Sequence, residues 1–283
     1  FATERGRMAS TRIAILFAAL ALVPGSADAQ VRLDARYVVT LAGVAIGKGA
    51  WIIDIADDQY SAAASGATTG LLRVFASGEG TGAVRGAVVG GRFTPGIYVA
   101  NLTQDKESEE IRISIAGGNV RNFSIVPPPP PPSPQRILVT EAHLRGVTDP
   151  MTASLVRIPG NGDPVNPAAC HRTTTIFDGR MRYELTLAYK RMERVKLDQS
   201  YEGLVVVCAI YFKPIAGYLP ERVAIKYLAA QRDMEVWLAP ITGTRVLVPY
   251  RFSIPTPFGT GVLQATQFNA TQQPRLTPTR LGQ

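Results

Sequence analysis

Apolar and polar residues alternate with a period of two along most of this chain, and the longer period of an amphipathic helix is nearly absent. From Arg182 to Leu197, Tyr183, Leu185, Leu187 and Tyr189 fall on one face, with Arg182, Glu184, Thr186 and Lys190 on the other. That is a strand half-buried against a core. Thr173 to Phe177 also reads as strand, and Asp178-Gly179 between the two runs predicts a hairpin with a type I′ turn. After Gln199-Ser200, the run from Gly203 to Phe212 is apolar on both faces and is expected inside a sheet.

The amino-terminal part predicts a meander. Tyr37, Val39 and Leu41 alternate, Gly43 turns the chain, and Val44 to Ile55 presents Trp51, Ile53 and Ile55 on one face. Gln59 to Ala64, Leu71 to Phe75, Arg92 to Thr103, Ile111 to Ile115 and Val120 to Ile125 continue it. The stretch Gly78 to Ala83 fits a loose G-x-G-x-x-A pattern, but the residues to Gly91 are too glycine-broken for the crossover helix a dinucleotide site needs. Its glycines are read as turns and close strand crossings in a curved sheet.

Pro127 to Pro134 holds six consecutive prolines, a stiff extended spacer or surface loop. Beyond it a strand is expected at Ile137 to Thr140. Asp149-Pro150 is an N-cap followed by proline at the first helical position, and predicts a two-turn helix over Met151 to Ile158. Asp233 to Leu238, Arg245 to Ile254 and Gly259 to Phe268 complete the strands, with Val246, Val248, Tyr250, Phe252 and Ile254 alternating and Pro240, Pro249 and Pro255 pointing to edges or bulges. The expected division is a signal peptide over 1–29, one β-rich domain over 30–268 in strand sets 30–126 and 135–268 joined by the proline loop 127–134, and a disordered tail over 269–283.

The signal peptide rests on Arg5, Arg7 and Arg12 ahead of the apolar run Ile13 to Val23, then Pro24-Gly25 and Ala27-Asp28-Ala29. That order of charged, apolar and small-x-small segments predicts cleavage after Ala29 and a periplasmic protein, with Met8 as the start of translation. The apolar run is about half of what a spanning helix requires. Export makes the two cysteines, Cys170 and Cys208, an expected disulfide closing a loop of about 39 residues, for about 4 kcal/mol by chain entropy. The formal net charge of +8 comes from basic residues scattered singly along strands, which argues against a nucleic-acid partner.

Several short motifs together resemble an uncharacterised family of exported bacterial proteins, domain-of-unknown-function family 3108. They are Gly43-Val-Ala-Ile-Gly47, Gly91-Arg-Phe-Thr-Pro95 before Tyr98, Asp149-Pro-Met-Thr-Ala153, Phe177-Asp-Gly-Arg180 with Tyr183, and Glu235-Val-Trp-Leu-Ala-Pro240. The proline run looks like an insertion into that pattern. The resemblance implies a mainly β periplasmic protein with no established activity and no catalytic residues. By analogy its architecture is a curled antiparallel sheet, an incomplete barrel or β-spiral like that of lipoprotein carriers, with one short helix.

Recognisable chemistry is sparse. His143 and His171 have no second ligand at a metal spacing, no serine-hydrolase or zincin motif occurs, and no cofactor is expected. Asp178 is assigned to its turn and Asp149 to its helix cap. The leading expectation is a non-enzymatic protein that binds an apolar or amphipathic envelope ligand, lipid or lipoprotein, in the concavity of the sheet. Trp51, Tyr98, Tyr189, Trp237 and Tyr250 are the candidate lining residues. Alternatives are a structural protein touching an envelope polymer through the proline run and basic surface, and a hydrolase of envelope polysaccharide or peptide using a carboxylate pair built across strands.

Overall fold

The computed structural model describes residues 29–69, 78–105 and 107–274. These form one antiparallel 14-stranded sheet whose two halves are each a meander. The first half is β1 (Ala29–Leu41), β2 (Val44–Ile55), β3 (Gln59–Thr68), β4 (Gly78–Val89), β5 (Arg92–Gln104), β6 (Glu107–Ala116) and β7 (Asn119–Val126). The second holds β9 (Arg172–Phe177), β10 (Arg182–Leu197), β11 (Tyr201–Ala216), β12 (Glu235–Pro240), β13 (Val246–Thr256) and β14 (Gly259–Pro274). The halves join where β1 pairs with β14, Ala29 opposite Pro274 and Leu41 opposite Gly261. The free edges are therefore β7 and β9. Two short α-helices, α1 (Pro150–Ala153) and α2 (Val223–Ala230), and the two-residue strand β8 (Val156–Arg157), paired with β13, accompany the sheet among the described residues.

The sheet curls but does not close by a continuous ladder. Residues 145–149 lie between its edges instead. Asn119 of β7 bridges Arg145, Val147 N–H donates to Gly118 O at 2.8 Å, and Phe177 N–H donates to Thr148 O at 2.9 Å. Each exposed edge thus finds backbone partners at the seam, which blunts its tendency to pair with another chain.

Two apolar clusters lie on opposite faces of the second half, because side chains along a strand alternate. In β11, Val205 and Val207 join a cluster with Leu33, Ile53, Ile113, Phe177 and Val246, residues from both halves that meet only across the concave side. Val206, Cys208 and Ile210 join a second cluster with Val156, Ile158, Cys170, Val236, Leu238 and Leu247. Every residue from Val205 to Ile210 is buried, the physical meaning of a strand apolar on both faces.

Several expectations need correction. The helix over Met151 to Ile158 is a single turn: Ser154 N–H donates to Met151 O at 3.1 Å, and Val156 and Arg157 pair with Leu247 and Val246 as β8. A second helix, α2, occurs where none is expected; its N-cap, Arg222, makes no side-chain capping bond, so no start signal marks it. Ile137 to Thr140 is not a strand, although Ile137 exchanges backbone hydrogen bonds with Gly217 and Tyr218. The hairpin at Asp178-Gly179 is a four-residue loop, 178–181, rather than a two-residue turn. Only Gly179 takes positive φ there, and the Asp178 carboxylate accepts the Arg180 and Met181 N–H groups at 2.8 and 2.7 Å. The glycines at 78–83 lie within β4 rather than in turns. Gly80 directly opposes Leu102 of β5, and a Cβ there would stand 3.0 Å from Leu102 Cδ2. The five positions from Val246 to Ile254 do not share a face. A bulge at Tyr250, where Trp237 opposes Arg251 and Leu238 opposes Pro249, sends Val246, Val248 and Tyr250 to the concave cluster and Phe252 and Ile254 to the other. Residues 269–274 belong to β14 and are not a disordered tail. The strand expected at Leu71 to Phe75, residues 1–28 and residues 275–283 lie outside the described residues.

Candidate functional site

The pairing registers of β9, β10 and β11 lay one apolar row beside another. Arg172 opposes Leu187, which opposes Ile210; Thr174 opposes Leu185; Ile176 opposes Tyr183. Directly opposed residues share a face of the sheet. On that face, further along, Val236 opposes Phe252 and Leu238 opposes Pro249. Over these side chains lie Pro150, Ala153 and Ser154 from α1 and its C-cap, and Val156 of β8. Between sheet and cover is a cavity of about 220 Å³. Its walls are mainly aliphatic and aromatic, with hydroxyls from Ser154 and Thr174, and Arg172 is the one charged residue lining it.

The cover is held by a specific cap. Asp149 Oδ1 accepts the N–H groups of Met151 and Thr152, both at 2.9 Å, and Pro150 at the first helical position needs no donor partner. The Thr152 and Tyr60 hydroxyls are 2.6 Å apart, tying α1 to the first half of the sheet.

The cap carboxyl is fully buried, and its second oxygen, Oδ2, has no partner among the described residues. Burial pushes the Asp149 carboxyl up, against the opposing pull of the Thr152 and Met151 hydrogen bonds. Asp178 is pushed up by burial in the same way, against the Met181 and Arg180 N–H groups. The Tyr98 phenol, raised to about 12 chiefly by burial, feels both carboxylates, and so does Tyr183.

This arrangement sets the pH dependence of stability. An acid whose folded pKa lies above its unfolded value of about 4 favours folding below that pH and loses the contribution as pH rises through the folded pKa. Asp149→Asn keeps a good N-cap and removes the charge. Its stability relative to wild type should therefore improve between pH 4.5 and pH 7.5, measured by urea denaturation at both values. A difference between the two proteins that does not change with pH would mean that Asp149 ionises as an ordinary surface acid.

The five aromatic candidates do not share the cavity. Trp51, Tyr98, Trp237 and Tyr250 lie in the concave cluster. Trp237 is fully engaged there: Arg251 and Arg191 stand 4.8 and 5.5 Å from its ring centroid, and its Nε1–H donates to Glu193 at 2.6 Å. Tyr250 packs in a triangle with Tyr201 and Phe268. Tyr189, 40% exposed, opposes Cys208 on the outer part of β10. His143 accepts Thr140 N–H at 3.1 Å in a short 3-10 turn, and His171 is exposed. Among the described residues no three acidic, histidine or cysteine side chains gather as metal ligands.

The residues that do line the cavity were partly legible. Leu185 and Leu187 stand out as one apolar strand face; Arg172 gives no sequence signal, because only its register opposite Leu187 brings it there. Cys170 and Cys208 are bonded, both fully buried beside this face.

These elements define an open, curled antiparallel sheet with an apolar cavity on one face. Within that class the chain belongs to a family of proteins of unknown function, DUF3108, whose model matches residues 36–266. No curated protein matches the chain. Among solved structures it is similar to a β-barrel-like protein of another domain of unknown function, DUF1849, from Brucella abortus. That similarity has 7% identity and a TM-score of 0.44, and covers 87% of this chain and 98% of the other. Among the described residues no helix is long and apolar enough to cross a membrane.

Proposed function

We propose that this is an exported, non-enzymatic protein that holds a small apolar or amphipathic molecule in the cavity between α1 and strands β9 to β13. The observation that carries the reading is the cavity itself. A mainly apolar recess of about this size can take a small hydrocarbon. Export rests on the predicted signal peptide, whose cleavage after Ala29 would leave Gln30, the second residue of β1, as the mature terminus.

Titration of the purified protein with 1-octanol, followed by thermal shift and by calorimetry, tests the binding. A saturable rise in Tm is expected in wild type and not in Leu185→Trp, whose indole would fill the space. If the alcohol leaves wild type unchanged, the binding reading fails. Amino-terminal sequencing of protein from the periplasmic fraction tests export separately: Gln30 supports it, and an unprocessed chain in the cytosol refutes it.

A further inference from the structure

The cavity contains a charge that the protein does not neutralise. Three other partly buried arginines are matched by polar partners. Arg32 forms a two-pronged pair with Asp54 at 2.8 Å, Arg191 does so with Glu235 at 3.0 Å, and Arg245 donates to the carbonyls of Ile158, Gly162 and Pro159. Arg172, which lines the cavity, has no such partner. Its Nε–H donates to Thr174 Oγ1 at 3.3 Å, and among the described residues no carboxylate or carbonyl meets its terminal nitrogens. Its row neighbours are Leu187 and Ile210. Burial lowers its affinity for a proton, with no acid opposing that effect, yet a guanidinium remains charged in a protein. Its terminal nitrogens remain accessible from the cavity side, so their donors are free to meet a ligand.

The partner's chemistry follows from three constraints. A guanidinium offers parallel N–H donors that match the two oxygens of a carboxylate. Arg172 is the single charge in the lining, which suits a monoanion better than a phosphate dianion. Size supplies the third. An apolar cavity of about 150 Å³ takes benzene, so about 220 Å³ accommodates roughly nine non-hydrogen atoms, far below a two-chain lipid. We propose that the cavity takes a medium-chain fatty carboxylate of about seven to eight carbons, its head group on Arg172 and its alkyl chain along Leu185, Leu187, Ile210 and Phe252. This deepens the reading of the preceding subsection and rests on it.

The test compares octanoate with 1-octanol, which has the same chain without the charge, by calorimetry on wild type, Arg172→Met and Arg172→Lys. Octanoate should bind wild type at least about tenfold tighter than octanol, the worth of a charge-assisted hydrogen-bonded pair. Arg172→Met should abolish that preference while leaving octanol affinity within about twofold, which also certifies that the variant is folded; Arg172→Lys should keep part of it. Octanol binding with no octanoate preference, or a preference that survives in Arg172→Met, overturns the head-group assignment and leaves the cavity reading standing. Failure of both ligands to bind wild type overturns both.

Discussion

Replacing Phe177 with alanine should destabilise the protein by about 3–5 kcal/mol, the usual cost of emptying a large aromatic site in a packed core. Phe177 has no solvent exposure, and its ring meets that of Phe123 edge-on at 5.2 Å. That contact joins β9 to β7, the two edges between which the sheet fails to close. The same residue donates its N–H to Thr148 O, and the neighbouring loop places Arg180 in an ion pair with Glu109 of β6. The loss should therefore be concentrated at the seam. Hydrogen exchange should quicken in β9 and in 145–149 before it does in the β1–β14 pair, whose ladder runs the length of both strands. Ile113→Ala, in the middle of β6 and equally buried, is the comparison, because it should lower global stability without singling out the seam. A Phe177→Ala protein with a urea midpoint near wild type, or with exchange raised uniformly, would show that the edges are held by something other than this ring.

The strands were legible where one face is wet and the other dry. Trp51, Ile53 and Ile55 alternate in the sequence and are buried in the structure, and the doubly apolar run of β11 is indeed covered on both sides. Legibility fails where long-range pairing overrides local preference. Asp149 and Pro150 start a helix as their chemistry requires, but Val156 and Arg157 find β13 as a partner, and the helix ends after one turn. β4 looks like a broken loop because glycine has poor strand propensity. It is a strand nonetheless, since Gly80 stands opposite Gly66 on one side and Leu102 on the other. The cavity was the least legible feature. Its walls come from five strands, and a one-residue shift at Tyr250 decides whether Phe252 faces the concave core or the cavity. The large apolar surface of Trp51, Trp237 and Tyr250 packs them into the core instead of the cavity.

Removing the disulfide should have an effect of similar size and a different character. Cys170 ends a 3-10 turn over Pro167–Cys170 and Cys208, 38 positions further along the chain, sits in the middle of β11. Closing a loop of that length restricts the unfolded chain by about 4 kcal/mol. In the native state the bond does something local as well: it pins the segment that includes Val156, Ile158 and Ala169 onto the face formed by Val206, Ile210 and Leu238. Since β8 is part of the cavity's cover, the double variant Cys170→Ala, Cys208→Ala should lose both urea stability and octanol affinity. Reductant supplies the control. It should bring wild type down to the stability of the double variant and leave the variant unmoved, whereas coincident midpoints for oxidised wild type and variant would mean that the bond adds nothing. A domain of ordinary stability has about 5–15 kcal/mol in total, so a chain lacking the bond gives up a substantial share of what holds it folded. Such a dependence favours a compartment where thiols are oxidised, and it makes the disulfide and the proposed export two tests of one idea. Protein recovered from a reducing cytoplasm should match the double variant in stability and regain the wild-type midpoint on oxidation.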